Sequence, residues 1–135
     1  MQLNVTTDYA IRTVLYLAIK GDITSSMEIA EKMAIPRNYL LKITKRLLDT
    51  EIITRYKGVY GGFALNKAPE DITLFEIIEK VEGVTKINRC LEEDKFCSRF
   101  ATENCPVRNV YCSLQGLIEK RLSDVTIKSL MEGVD

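Results

Sequence analysis

Residues 25–65, SSMEIAEKMAIPRNYLLKITKRLLDTEIITRYKGVYGGFAL, decide the fold. Ser25 followed three residues later by Glu28 is the spacing of a capping box, which opens a helix by satisfying its first free N–H groups. Ile29, Ala30 and Met33 then fall on one side at helical spacing. Ala34-Ile35-Pro36 reads as a tight turn, and Pro36 suits the first position of a following helix. That helix is expected to run to about Asp49. Leu40, Ile43, Leu47 and Tyr39 lie on its inner side, and Arg37, Asn38, Lys42, Lys45 and Arg46 on the other. Two short amphipathic helices joined by a tight turn, the second of them basic, form a helix-turn-helix pattern.

The rest of the stretch adds a hairpin. Ile52 to Tyr56 reads as a strand, Gly62 to Leu65 as its return, and Lys57-Gly58-Val59-Tyr60-Gly61 as the tip. A hairpin after a basic helix is the winged variant of the motif. Glycines at the tip let backbone approach a phosphate chain, and Arg55 and Lys57 add charge. Tyr56 and Tyr60 are placed either to touch the sugar-phosphate backbone or to pack beneath the wing. The expected contacts are Arg37, Asn38 and Lys42 with base edges, and Lys45, Arg55, Lys57 and Gly61 with the flanking phosphates. Arginine and asparagine can each make paired hydrogen bonds to a base.

Upstream, Thr6 or Thr7 is the expected cap of a first helix that places Ala10, Val14, Leu17 and Ala18 on one face and ends at Gly21-Asp22. Downstream, Thr73-Leu74-Phe75-Glu76 repeats the capping-box spacing and opens a helix with Leu74, Ile77, Ile78 and Val81 inward, closed by Gly83. Residues 88–105 show charge and little periodicity and read as a loop. After Pro106, the series Val107, Val110, Tyr111, Leu114, Ile118 and Leu122 marks a helix of about four turns. It finds little to pack on in so short a chain, so a second copy is its expected cover. The expected organisation is mainly α with a small β-hairpin wing. Residues 1–83 form a winged helix-turn-helix DNA-binding unit, 84–105 a cysteine-rich loop, and 106–135 a dimerisation helix with a C-terminal tail.

The 135 residues suit one compact domain with an appended element. Their 46% hydrophobic content excludes a disordered chain. No apolar run approaches a membrane span, and the start lacks the pattern of a secretory signal, so a cytoplasmic location is expected. There is no histidine, which removes serine–histidine and cysteine–histidine catalysis and histidine-ligated zinc together. No enzyme activity is expected. The zero net charge hides a polarity: residues 1–67 carry ten basic against six acidic side chains, and residues 68–135 nine against thirteen.

All four cysteines, at 90, 97, 105 and 112, fall in one 23-residue window. A cytosolic chain has little use for structural disulfides, so such a cluster points to metal or redox chemistry. The spacing is Cys-x6-Cys-x7-Cys-x6-Cys. Zinc favours close pairs, whereas an iron–sulfur cluster tolerates wider spacing from a loop wrapped around it. Iron–sulfur ligation, zinc, a thiol switch and inert thiols all remain open on chemistry alone.

Several pieces together resemble the Rrf family of bacterial winged-helix regulators over essentially the whole length. They are Leu3 to Leu17 with Thr7-Asp8-Tyr9-Ala10-Ile11-Arg12, then Ile29-Ala30, Tyr39-Leu40 and Gly61-Gly62-Phe63-Ala64-Leu65. Ile72-Thr73-Leu74, Glu82-Gly83 and Cys105-Pro106-Val107-Arg108 follow. The resemblance implies a homodimer that represses or activates promoters by binding double-stranded DNA. It further implies an iron–sulfur cluster on three loop cysteines, sensing redox state, iron–sulfur supply or nitric oxide.

In cluster-binding members the last ligand lies a fixed distance before a Thr-hydrophobic pair, here Thr126-Ile127. The resemblance therefore implies Cys90, Cys97 and Cys105 as iron ligands. Cys112 would lie about two turns, ~10 Å, along the helix from Cys105, beyond one compact cluster. One branch places a histidine three residues after the third cysteine, where this chain has Arg108. Another completes a four-iron cluster with an aspartate near the partner's N-terminus, where this chain has Asp8, also readable as a helix-start carboxylate. A [4Fe-4S] cluster is therefore favoured, with [2Fe-2S] as the alternative. Two competing functions are a cluster-free thiol-based winged-helix regulator and a small iron–sulfur redox protein. The second leaves the basic helix and the wing unexplained.

Overall fold

The computed structural model describes residues 2–100 and 102–133. Among them, six helices and one two-stranded sheet follow in order: α1 (Val5–Lys20), α2 (Ser26–Met33), α3 (Arg37–Asp49), β1 (Ile53–Tyr56), β2 (Gly62–Leu65), α4 (Leu74–Glu82), α5 (Pro106–Asp124) and α6 (Ile127–Met131). Short 3-10 turns cover Pro69–Asp71, Arg89–Leu91 and Thr102–Asn104.

Local chemistry explains most of these boundaries. Ser25 caps α2, its Oγ accepting from the Glu28 N–H at 3.2 Å. Thr73 caps α4 in the same way at 3.0 Å. In neither box is the glutamate spent on the cap. Glu28 accepts from the Tyr16 hydroxyl at 2.6 Å and pairs with Lys20 at 3.2 Å. Glu76 pairs with Lys67 and Lys80. Gly21 and Gly83 close α1 and α4 with φ of 65° and 82°, a region where an added Cβ is strained. The cap of α1 lies earlier than its threonines suggest. Asn4 accepts from the Thr7 N–H at 2.9 Å, because the Thr7 hydroxyl is committed to Glu82 Oε1 at 2.6 Å. Pro36 stands one residue before α3 rather than inside it.

The core is built around α1. Its Ala10, Val14 and Leu17 meet Ile29 of α2 and Leu40, Ile43 and Leu47 of α3, all at most 1% exposed. Ile52, Ile72 and Ile77 extend the same cluster. Each of the buried valine, leucine and isoleucine side chains contributes roughly 1.5–3 kcal/mol relative to exposure.

The hairpin is antiparallel, with Ile53 opposite Leu65 and Tyr56 opposite Gly62. Thr24 adds a bridge to β2, exchanging backbone hydrogen bonds with Phe63 at 2.8 and 2.9 Å. That approach requires Gly62, since a Cβ there would fall 2.2 Å from the Thr24 carbonyl oxygen. The wing is thus fastened to the segment that leads into α2.

The C-terminal part leaves this unit and returns to it. Helix α5 has 19 residues, longer than expected, and contacts α4 and the Arg89–Leu91 turn. The anticipated apolar stripe divides. Val107, Val110 and Leu114 are exposed together with Leu117, while Tyr111, Ile118 and Leu122 are half-buried. The one buried residue of α5 is Gln115. After α5, the Ile127 N–H donates to the Ile72 carbonyl at 2.9 Å, the Leu74 N–H to that of Val125 at 2.9 Å, and Ile127 is fully buried in the α1 cluster. No described helix is long and apolar enough to cross a membrane.

Candidate DNA interface and cysteine pocket

One end of the molecule presents α3 and the wing together. Arg37, Asn38, Lys42 and Lys45 are all exposed on α3, because Leu40, Ile43 and Leu47 take its inner face. Between α3, the start of α2 and the wing lies a cleft of about 390 Å³. Lys45, Arg55, Lys57 and Gly61 line it, beside Ser25 and Ser26. Arg37 borders a separate hollow of about 300 Å³ with Met27, Ala30 and Glu31. Arg55 lies over the Phe63 ring, 6.0 Å from its centroid. Gly61 has an internal reason to be glycine: a Cβ would sit 2.4 Å from the Tyr56 carbonyl oxygen. At the tip, Val59 and Tyr60 are 94% and 93% exposed. Tyr60 therefore does not pack beneath the wing, and Tyr56 is also exposed.

Arg46, grouped by sequence with the outward cations of α3, is exposed like them but reaches across to a neighbouring helix. Its guanidinium donates to the Val81 carbonyl at the end of α4.

A separate pocket carries the cysteines. Cys90, Cys97 and Cys105 line one pocket of about 260 Å³ with Asn88, Arg89, Phe96, Ser98, Thr102, Arg108 and Tyr111. Cys112 is exposed and does not line it. The sulfurs of Cys90 and Cys105 accept hydrogen bonds. Asn88 Nδ2 donates to Cys90 Sγ at 3.3 Å, and the Arg108 N–H donates to Cys105 Sγ at 3.4 Å, making Cys105 the cap of α5. Among the described residues, no three Cys, Asp or Glu side chains are grouped tightly enough to hold a single metal ion.

The loop has more internal order than its charge suggests. Arg89 forms a two-armed pair with Asp94 and lies over the Phe96 ring at 5.5 Å. The hydrogen bonds from Arg89 hold the Asp94 carboxyl below the usual carboxylate range. Gln115 seats the start of the loop on α5, its Oε1 accepting from the Ile87 N–H at 2.8 Å and its Nε2 donating to the Thr85 carbonyl at 3.0 Å. A polar residue interrupting an apolar series was the available signal for Gln115. Asp8 is exposed in the first turn of α1 and pairs with Arg12 at 2.8 Å. Arg12 in turn lies 5.4 Å over the Tyr9 ring, which meets Tyr39 of α3 edge-on at 5.6 Å.

Residues 3–133 match the model of the Rrf2 family, described as an iron-dependent transcriptional regulator. The chain belongs to the Rrf2 family. It is 32% identical over 125 residues to the HTH-type transcriptional regulator NsrR of Shouchella clausii, covering 91% of this chain and 78% of that one. Its fold is similar to CymR, the global cysteine regulator of B. subtilis, with a TM-score of 0.83 and 22% identity over 100% of this chain and 99% of that one. T. potens IscR superposes with a TM-score of 0.76 and 21% identity, covering 98% and 87%. This Rrf2 chain is therefore a DNA-binding transcriptional regulator of winged-helix fold, and not an enzyme.

Proposed function

We propose that this Rrf2 regulator acts as a homodimer on promoter DNA in the cytoplasm, and that an iron–sulfur cluster on Cys90, Cys97 and Cys105 tunes its affinity. The observation that carries the reading is the shared pocket of those three cysteines, with Cys112 outside it. The donor set suits the group. Three thiols line a pocket with two arginines and, among the described residues, no carboxylate, and hydrogen bonds to sulfur tune a cluster. Asp8 of the partner subunit is the proposed fourth ligand, which favours a [4Fe-4S] cluster over [2Fe-2S]. A bound cluster supplies a centre responsive to oxygen, nitric oxide or iron supply.

The chain's own residues carry the signal onward. The loop begins at Gly83, directly after Glu82, which accepts from the Asn4 N–H at 3.1 Å and the Thr7 hydroxyl at 2.6 Å at the start of α1. Two residues earlier, Val81 is held by Arg46 of α3. Order in the loop thereby bears on both the first helix and the recognition helix. Arg37, Asn38 and Lys42 are assigned to base edges, and Lys45, Arg55, Lys57 and the Gly61 backbone to phosphates.

A cluster-free thiol regulator is favoured by one observation, the lack of a tight three-ligand grouping among the described residues. Anaerobic purification with iron and sulfide analysis decides between the two. The cluster reading expects a coloured protein with bound iron and sulfide, lost in Cys→Ala variants at 90, 97 or 105 and kept in Cys112→Ala. Iron retained by Cys90→Ala but lost by Cys112→Ala would refute the ligand set. Equal operator affinity with and without the cluster would refute the regulation, because a ligand without differential affinity shifts no equilibrium.

A further inference from the structure

Taking the cysteine pocket as the cluster site proposed above, we infer that Arg108 is a positioning residue that pins Cys90 and Cys105 to one wall of that pocket. Arg108 stands in the first turn of α5, three residues after Cys105. Its backbone N–H donates to Cys105 Sγ at 3.4 Å, and its side-chain Nε donates to the Cys90 carbonyl at 3.1 Å. One residue thus touches two cysteines from the two ends of the loop.

Cys90 is half-buried in a three-residue 3-10 turn that meets α5 and has no fully buried member. Asn88 holds its sulfur and Arg108 its carbonyl, so hydrogen bonds act beside partial packing to fix its position. The pocket's other arginine is already committed: Arg89 pairs with Asp94 and lies 3.8 Å from Glu92. Among the described residues Arg108 forms no ion pair with a carboxylate. Arg108 lines the same pocket as the three cysteines. A guanidinium can donate from Nε and keep both terminal nitrogens free, whereas the lysine ammonium is a single point on a flexible stem. The pin therefore needs arginine and not merely a cation.

The test uses the full chain with Arg108→Gln and Arg108→Lys, each first checked for an unchanged thermal melt. In the iron-free protein, amide hydrogen exchange across residues 89–92 is expected to be roughly tenfold faster in both variants. Alkylation of Cys90 by iodoacetamide, measured against Cys112 in the same molecule, rises with it. In reconstituted protein, release of iron to a chelator is expected roughly tenfold faster, the low end for loss of an outer-shell partner. The visible absorbance and circular dichroism bands shift as the ligand geometry loosens. Exchange and alkylation unchanged in both variants would overturn the pin, as would wild-type behaviour of Arg108→Lys on every readout. Should the unaltered chain bind no iron and sulfide, the cluster reading falls. The iron-free measurements then still decide whether Arg108 orders the pocket.

Discussion

Arg46, on the solvent-facing side of α3, donates from its guanidinium to the carbonyl of Val81 in the last turn of α4. The helix proposed to lie on DNA is thereby bonded to the segment from which the cysteine loop departs. Arg46→Ala removes a charged donor and leaves a helix-end carbonyl without it, a loss of about 1–2 kcal/mol. Urea unfolding should report that loss. Operator affinity should also depend less on cluster occupancy in this variant than in the unaltered protein. If the dependence is undiminished, the coupling does not run through this bond.

Lys57 and Arg37 should separate two kinds of DNA contact. Lys57→Ala is expected to weaken all sequences alike and to lower the slope of log affinity against log salt by about 0.9, one phosphate's share. Arg37→Ala is expected to cost about 1–3 kcal/mol on the preferred operator and much less on unrelated DNA. Titrations at several salt concentrations check both, and an unchanged slope for Lys57→Ala takes the wing tip out of the interface.

The divided stripe of α5 sharpens the dimer proposal. Leu114 and Leu117 are 46% and 66% exposed in the single chain, whereas Ile118 is half-buried. Leu117→Lys should therefore give folded monomers with weak binding to a two-half-site operator. Ile118→Lys should lower the melting temperature as well. Sedimentation and calorimetry distinguish the two, and an intact dimer in Leu114→Lys and Leu117→Lys puts the interface elsewhere.

Acid should loosen the cysteine loop. Asp94 has its pKa lowered in the folded chain by Arg89, so the pair's stabilisation is present above the ordinary aspartate pKa of ~4 and is lost as pH falls through the folded value. Carboxyl chemical shifts should show Asp94 titrating below the ordinary value. Asp94→Asn should remove the acid-induced change in the Phe96 amide signal, and persistence of that change in the variant would detach it from this pair.

Capping residues and periodicity made much of the molecule legible beforehand. Ser25, Thr73, Gly21 and Gly83 mark helix ends because each satisfies or frees backbone at a fixed offset, and the wing strands follow from apolar runs flanked by glycine. The spacing of the cysteines alone does not single out three of the four; the family resemblance implies Cys90, Cys97 and Cys105, and those three line one pocket. Less legible were features that depend on a distant neighbour. Arg46 reads as one more outward cation until Val81 is placed beside it. Thr7 reads as a cap until Glu82 claims its hydroxyl. Helix α6 is too short for a periodic signal, and its burial follows from where α5 returns the chain.

Gln115 joins the loop and α5 with a carboxamide where a leucine would be the ordinary choice. An apolar joint resists tilting steeply, because every opening leaves a void with no atoms to fill it. A carboxamide joint is directional as well: Gln115 is 5% exposed, so sliding the loop along α5 would leave buried polar groups without partners, at about 1–3 kcal/mol each. The seat of the loop is therefore keyed, holding one register on α5 where a purely apolar contact would tolerate several.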